Sequence, residues 1–172
     1  GSAARNVTEK GVLEDQVFGS TGNEENALRI TGASVTLINV EIMKEEGTSS
    51  STESGDFSGM NAALLATGGA RVTIEDSSVH SAAPNGNGLF SYGKGTMISA
   101  KNVTITTEGS HSGGLQTTGG ALTEAEIVTV STAGNSSAAI RSDRGGGTVL
   151  VKGGTFRTEG YGSPAIYSTA DI

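Results

Sequence analysis

Cysteine and tryptophan are absent from this chain of 172 residues, proline occurs twice, and aromatic residues make up 4% of it. Without cysteine there is neither a disulfide framework nor a thiolate metal site. Two prolines are too few for a polyproline linker, and the 27 glycines lack the every-third-residue period of collagen. A conventional two-layer domain of this length fills its interior with bulky rings, and this chain has few to offer. Positive charge is scarce as well: 11 Lys and Arg stand against 18 Asp and Glu, for a net charge of −7, with no basic stripe. Nucleic acid and anionic membrane surfaces are therefore poor partners. No apolar run approaches the roughly 20 residues of a membrane-spanning helix, so no membrane insertion is expected, and no signal peptide is visible.

What is present instead is a repeat. The strings NALRITG, AALLATG, NGLFSYG, GGLQTTG, SAAIRSDRG and PAIYSTA recur, with an aligned residue at Leu28, Leu64, Leu89, Leu115, Ile140 and Ile166. The steps are 36, 25, 26, 25 and 26 residues, and one insertion, GTSSSTESGDFSG from Gly47 to Gly59, accounts for the long first step. Between the aligned positions, apolar residues fall at every second place in short runs, such as Val35 to Leu37 then Val40 to Ile42, and Ile98 to Ala100 then Val103 to Ile105. Period two in runs this short marks strands. About 25 residues at about 3.3 Å each suffice for one coil of three short strands around a thin core. One coil cannot bury its apolar side, whereas stacked coils can, each strand pairing in parallel with its equivalent in the next. The expected fold is all-β, a parallel β-helix filled by columns of Val, Ile, Leu, Ala and Thr.

The corner between the second and third strands is occupied in turn by Asn39, Asp76, Asn102, Ile127 and Gly153. All but Ile127 tolerate a left-handed backbone, and stacked amides there can hydrogen-bond along the axis. The closing turns TEGSHS, TAGNSS and TEGYGS place a glycine six residues before the aligned Leu or Ile, which reads as a second position of positive φ. Residues 1–23 read as a tag remnant (Gly1-Ser2) plus an incomplete first coil, and residues 24–172 as about five and a half coils with the inserted loop 47–59. Both ends fall within a coil without a polar cap. The chain therefore reads as a fragment of a longer protein, with end-to-end self-association or fraying expected at Ile172.

With the aligned Leu or Ile inward, the following residue points out. The outward columns of the first sheet are then Arg29, Leu65, Phe90, Gln116, Arg141, Tyr167 and, beside them, Thr31, Thr67, Tyr92, Thr118, Asp143, Thr169. The stretch RSDRGGG thereby becomes an exposed Arg141–Asp143 pair, with Arg144 opening a glycine turn. It is either a solvated ion pair of little energetic consequence or part of a binding face. Phe90, Tyr92 and Tyr167, interspersed with Gln116, Arg141, Asp143 and Arg144, present rings and hydrogen-bonding groups in a regular array that suits sugars. The insertion can wall this face with Asp56 and Phe57, or simply cover Leu65 and Phe90.

Signals for catalysis are few. The carboxylates Asp56, Glu75, Asp76, Glu124, Glu126 and Asp143 do not converge on one column, and His80 and His111 read as solvated turn residues. RGGG and TGGA follow no strand-to-helix pattern, so no phosphate loop, cofactor or metal site is expected. The motifs NSSAAIRSDRGGG, GSPAIYSTADI, GLFSYG and GGLQTTGG resemble those of adhesin-like right-handed parallel β-helix proteins, of the pectate-lyase-like solenoid group, secreted or displayed by Gram-positive gut bacteria. The similarity covers nearly the whole chain from Thr21. It implies a right-handed, exported, surface-type β-helix, part of a longer polypeptide, with an adhesive or carbohydrate-related role and no catalytic residues to carry over. The expected function is a non-catalytic secreted or cell-surface module binding a glycan or a host or bacterial surface protein. A polysaccharide lyase or hydrolase and a self-assembling structural solenoid are the alternatives.

Overall fold

Alternating short strands joined by glycine-rich corners cannot close a core individually, and the computed structural model, which describes residues 1–169, stacks them into coils. The first coil comprises β1 (Ser2–Val7), β2 (Gly11–Glu14) and β3 (Val17–Ser20), and the second β4 (Glu25–Thr31), β5 (Ser34–Ile38) and β6 (Glu41–Lys44). The insertion follows, carrying the helix α1 (Thr52–Ser58). Then come β7 (Leu64–Thr67) and β8 (Arg71–Ser81), β9 (Leu89–Tyr92) and β10 (Met97–Thr107), β11 (Leu115–Thr118) and β12 (Ala121–Thr132). The last full coil is β13 (Ile140–Ser142), β14 (Gly147–Lys152) and β15 (Thr155–Thr158), and β16 (Ile166–Ser168) begins another.

The result is a parallel β-solenoid of about 6 turns with about 26-residue spacing, 54% strand and 4% helix. One sheet runs β1-β4-β7-β9-β11-β13-β16, and the other wraps the opposite side as β2-β5-β8-β10-β12-β14, with β3 and β6 continuing beside β8 and β15 beside β12. In the third to fifth coils the expected second and third strands merge into one long strand that bends at the corner. The first coil has all three strands rather than the expected part of one, and Ser2 itself pairs with Glu25. The fraying expected at Ile172 lies outside the described residues.

Register is fixed by like residues stacking on like. Leu28, Leu64, Leu89, Leu115 and Ile140 form one inward column, all buried. Val35, Val72, Ile98, Thr123 and Val149 form another on the second sheet. Later coils replace aliphatic side chains by buried hydroxyls that find partners inside, as Thr117 Oγ1 meets Thr123 Oγ1 at 2.7 Å and Ser142 Oγ donates to the Gly147 carbonyl at 2.9 Å. A thin interior of this kind needs no large rings, which accounts for the low aromatic content.

The corner column is left-handed throughout: φ is 50° at Asn39, 51° at Asp76, 52° at Asn102, 54° at Ile127 and 67° at Gly153, and Asp15 opens the column at 56°. The side chains pair along the axis, Asn39 Nδ2 donating to Asp15 Oδ1 at 2.6 Å and Asn102 Nδ2 to Asp76 Oδ1 at 2.7 Å. The closing-turn glycines need a different explanation from the expected one. Gly109, Gly134 and Gly160 do not have positive φ; a Cβ at Gly134 would stand 1.9 Å from the Gly109 carbonyl oxygen, and one at Gly160 would stand 1.8 Å from that of Gly134. They are glycines because successive turns touch backbone to backbone. The left-handed residues of these turns lie two places on, at Glu24, His111, Ser136 and Gly162.

Among the described residues, one charged side chain enters the coil interior. Lys44 stands inward in the column between Ser20 and Ser81, fully buried, its Nζ donating to Ser20 Oγ at 3.0 Å and to the Gly22 carbonyl at 2.5 Å. Burial lowers its pKa from 10.5 to about 8, against the opposing pull of Glu25.

Two measurements check these readings. Ile127 is exposed, so Ile127→Asn removes a strained β-branched residue without loss of packing, and should stabilise the fold by about 1 kcal/mol in urea unfolding. For Lys44, the unfolded chain holds the proton between pH 8 and 10.5 while the folded chain has released it. Stability from this group therefore rises with pH across that window. The difference in unfolding free energy between wild type and Lys44→Met should shift in favour of wild type from pH 8 to 10.5, and a pH-independent difference would contradict the assignment.

Candidate functional site

The inserted segment is a short capped helix laid along the first sheet. Ser51 caps α1 through its Oγ, which accepts from the Ser54 amide at 3.0 Å, and Gly59 ends it with φ 73°. Asparagines from the coils on either side hold the segment down. Asn26 Nδ2 donates to the Gly59 and Ala62 carbonyls, both at 2.9 Å, and Asn87 Nδ2 donates to the Gly55 carbonyl at 3.3 Å. Asn61 Nδ2 bridges the Gly47 and Pro84 carbonyls, and Thr118 Oγ1 donates to the Phe57 carbonyl at 2.8 Å.

This covering overturns part of the expected face. Leu65 and Phe90 do lie on the outward column, but with Ala62 they form a small buried cluster of their own beneath the insertion. Phe90 is 0% exposed and Gln116 is 1% exposed, so neither is available to a ligand. The end of the insertion packs on the apolar pair Leu65–Phe90 through Gly59 and Ala62, which is why an outward column there tolerates them. Tyr92 and Tyr167 remain exposed, at 37% and 45%.

Arg141, Asp143 and Arg144 are organised by the same segment. Arg141 on β13 donates through Nε and Nη2 to Asp143 Oδ2, at 2.9 and 2.5 Å, and its Nη1 lies 3.7 Å from Asp56 Oδ2 of the helix. Its guanidinium stands over the Phe57 ring at 5.4 Å and the Tyr167 ring at 5.7 Å. The Arg141 side chain is 11% exposed, so the pair is not the solvated one its position suggested. Arg144 also stacks on Phe57, at 3.9 Å, and pairs with Glu53. Asp143 Oδ1 accepts from the Arg144 amide at 2.8 Å and orders the start of the glycine turn.

The carboxylates Asp56 and Asp143, expected to stay apart, therefore converge on one guanidinium. His111 joins them: held at φ 53° in its turn, it places Nδ1 3.3 Å from Asp56 Oδ2 and is not a free surface histidine. His80 remains on the other sheet, its Nδ1 2.8 Å from Thr106 Oγ1. Asp56, His111, Ser136, Arg141 and Tyr167 line a pocket of about 170 Å³. Beyond Phe57, a larger hollow of about 410 Å³ is lined by Glu53, Phe57, Tyr92, Gly119 and Arg144.

The role of His111 was not legible, because the contact joins residues 55 places apart. The docking asparagines left a trace: among the repeat strings, Asn26 and Asn87 open only the two that flank the insertion-bearing coil. Among the described residues no group of three or more His, Asp or Glu is placed to hold a metal ion, and no helix is long and apolar enough to cross a membrane.

The fold defines the class of protein, a parallel β-solenoid, in which an inserted helix brings charged and aromatic side chains together on one sheet. Comparison with protein-family profiles, curated proteins and solved structures finds no match.

Removing the shared guanidinium leaves Asp56 and Asp143 facing each other with little access to water. Arg141→Ala should cost about 2–3 kcal/mol of stability, whereas Arg144→Ala, breaking an exposed pair, should cost less than about 1 kcal/mol. Equal and small losses in thermal unfolding would show that the clamp holds nothing together.

Proposed function

We propose that this solenoid is a non-catalytic binding module, secreted or displayed at a cell surface, that takes a glycan on the face carrying Arg141 and Tyr167. The observation that carries the reading is a half-exposed tyrosine ring beside a polar pocket whose side chains are already locked in place. Sugars present CH-rich faces that stack on such a ring and hydroxyls that take directional hydrogen bonds. Asp56, His111 and Ser136 supply acceptors and donors at the pocket wall. Because Arg141 is fixed by two carboxylates and two rings, little side-chain entropy is lost on binding. The resemblance of the repeat motifs to adhesin-like β-helix proteins points the same way.

Binding is favoured over hydrolysis by one feature of the geometry. Glycoside hydrolysis needs space between its two carboxyl groups for a sugar carbon and, in inverting enzymes, a water; between Asp56 and Asp143 that space holds the Arg141 guanidinium.

A panel of neutral and acidic polysaccharides, with and without calcium and with each positive checked for shortened product, tests the reading. Binding without product is expected, weakened about tenfold or more by Tyr167→Ala, with a smaller drop in unfolding temperature than Arg141→Ala causes. Product formation would make the protein an enzyme, and silence across the panel would leave the face to a protein partner or to a structural role.

A further inference from the structure

Resting on that reading, we propose that the ligand is an uncharged oligosaccharide chain held in two subsites, one at Tyr167 and one at Tyr92.

The two tyrosines belong to neighbouring outward columns of one sheet. Tyr167 aligns through Arg141 and Gln116 with Phe90, and Tyr92 lies two residues beyond Phe90 on β9. Three strand spacings and two residues of rise separate them by roughly 15 Å, the span of a short sugar chain and not of a single ring. Each borders its own hollow. Phe57 lines the Tyr92 hollow, with the Arg144 guanidinium 3.9 Å and the Arg141 guanidinium 5.4 Å from its ring centre, so the two tyrosines are the ring surfaces left to a ligand. At the Tyr92 end the floor is bare backbone: a Cβ at Gly119 would stand 3.1 Å from Tyr92 Cε2, and one at Gly145 would stand 2.9 Å from Gly119 Cα.

The charges decide the ligand class. The cations lining the two hollows are Arg141 and Arg144, and each already has a carboxylate: Asp56 and Asp143 for the first, Glu53 for the second. Two arginines against three carboxylates leave the face slightly negative, with His111 turned to Asp56. A uronate would meet no unpartnered cation here and would face repulsion from Asp56 and Glu53. A neutral sugar meets rings and hydrogen-bonding groups without that cost. Two connected subsites make affinity grow with chain length, because the second contact becomes intramolecular.

Calorimetric titration with neutral gluco-, xylo- and manno-oligosaccharides of one to six units, and with oligogalacturonates of the same lengths, tests this. At least one neutral series should tighten about tenfold between two and four units. Tyr92→Ala should abolish that gain and leave the shortest ligands unchanged, while Tyr167→Ala weakens every length. Monosaccharides binding as tightly as hexamers, wild-type behaviour of Tyr92→Ala on long chains, or preference for oligogalacturonates would each overturn the inference and leave the glycan reading standing. Failure of every oligosaccharide to bind would overturn the glycan reading itself.

Discussion

The in-register parallel pairing of each coil with the next is the constraint on which the rest of this structure depends. Once Leu89 is set on Leu115 and Leu115 on Ile140, every other residue of the coil has a fixed neighbour one strand away. Columns then succeed or fail together. Aliphatic columns exclude water, buried hydroxyls such as Thr117, Thr123 and Ser142 bond within the interior, and the corner column is left-handed from Asp15 to Gly153. Even Ile127, which its chemistry suits to a strand, is bent to φ 54° because Asn102 and Gly153 on either side of it are. The close stacking of the turns imposes the glycines at 109, 134 and 160 for the same reason: repetition at strand spacing leaves no room for a Cβ against the carbonyl of the turn before.

Against that regularity the insertion is the one element free to differ, and the proposed binding face gathers around it. Lying lengthwise on the sheet, it touches coils from Asn26 to Arg144 and so couples units that otherwise meet only their neighbours. The insertion covers Leu65 and Phe90, which cluster with Ala62 at its end, while Asp56 and Phe57 turn toward Arg141. A rigid face made in this way suits recognition. The side chains that would contact a ligand are held by hydrogen bonds and ring stacking before it arrives, and their charges are spent largely on one another.

Lys44 shows the cost of leaving the repeat. Where other coils put Ser or Thr at the end of the third strand, this coil sends an ammonium group inward just before the insertion begins. Its partners, Ser20 and the Gly22 carbonyl, lie one coil back. The depressed pKa records incomplete compensation for lost water.

The amino-acid sequence by itself determined the solenoid, its coil length, the inward columns and the corner, because each follows from a short-range period repeated often enough to be read against itself. The outward position of Arg141, Asp143 and Tyr167 followed from the same alternation. That the insertion meets this face, walling it with Asp56 and Phe57 or covering Leu65 and Phe90, was also open to the sequence; what only the tertiary structure decided is that it does both, and through which contacts. A stretch without a repeat has no counterpart to be compared with, so neither its helix nor its path across the sheet could be read from periodicity. The burial of Phe90 and Gln116, the meeting of Asp56 and Asp143 on Arg141, and the turn of His111 toward Asp56 depend on contacts between coils far apart in the chain, set by where a short helix comes to rest.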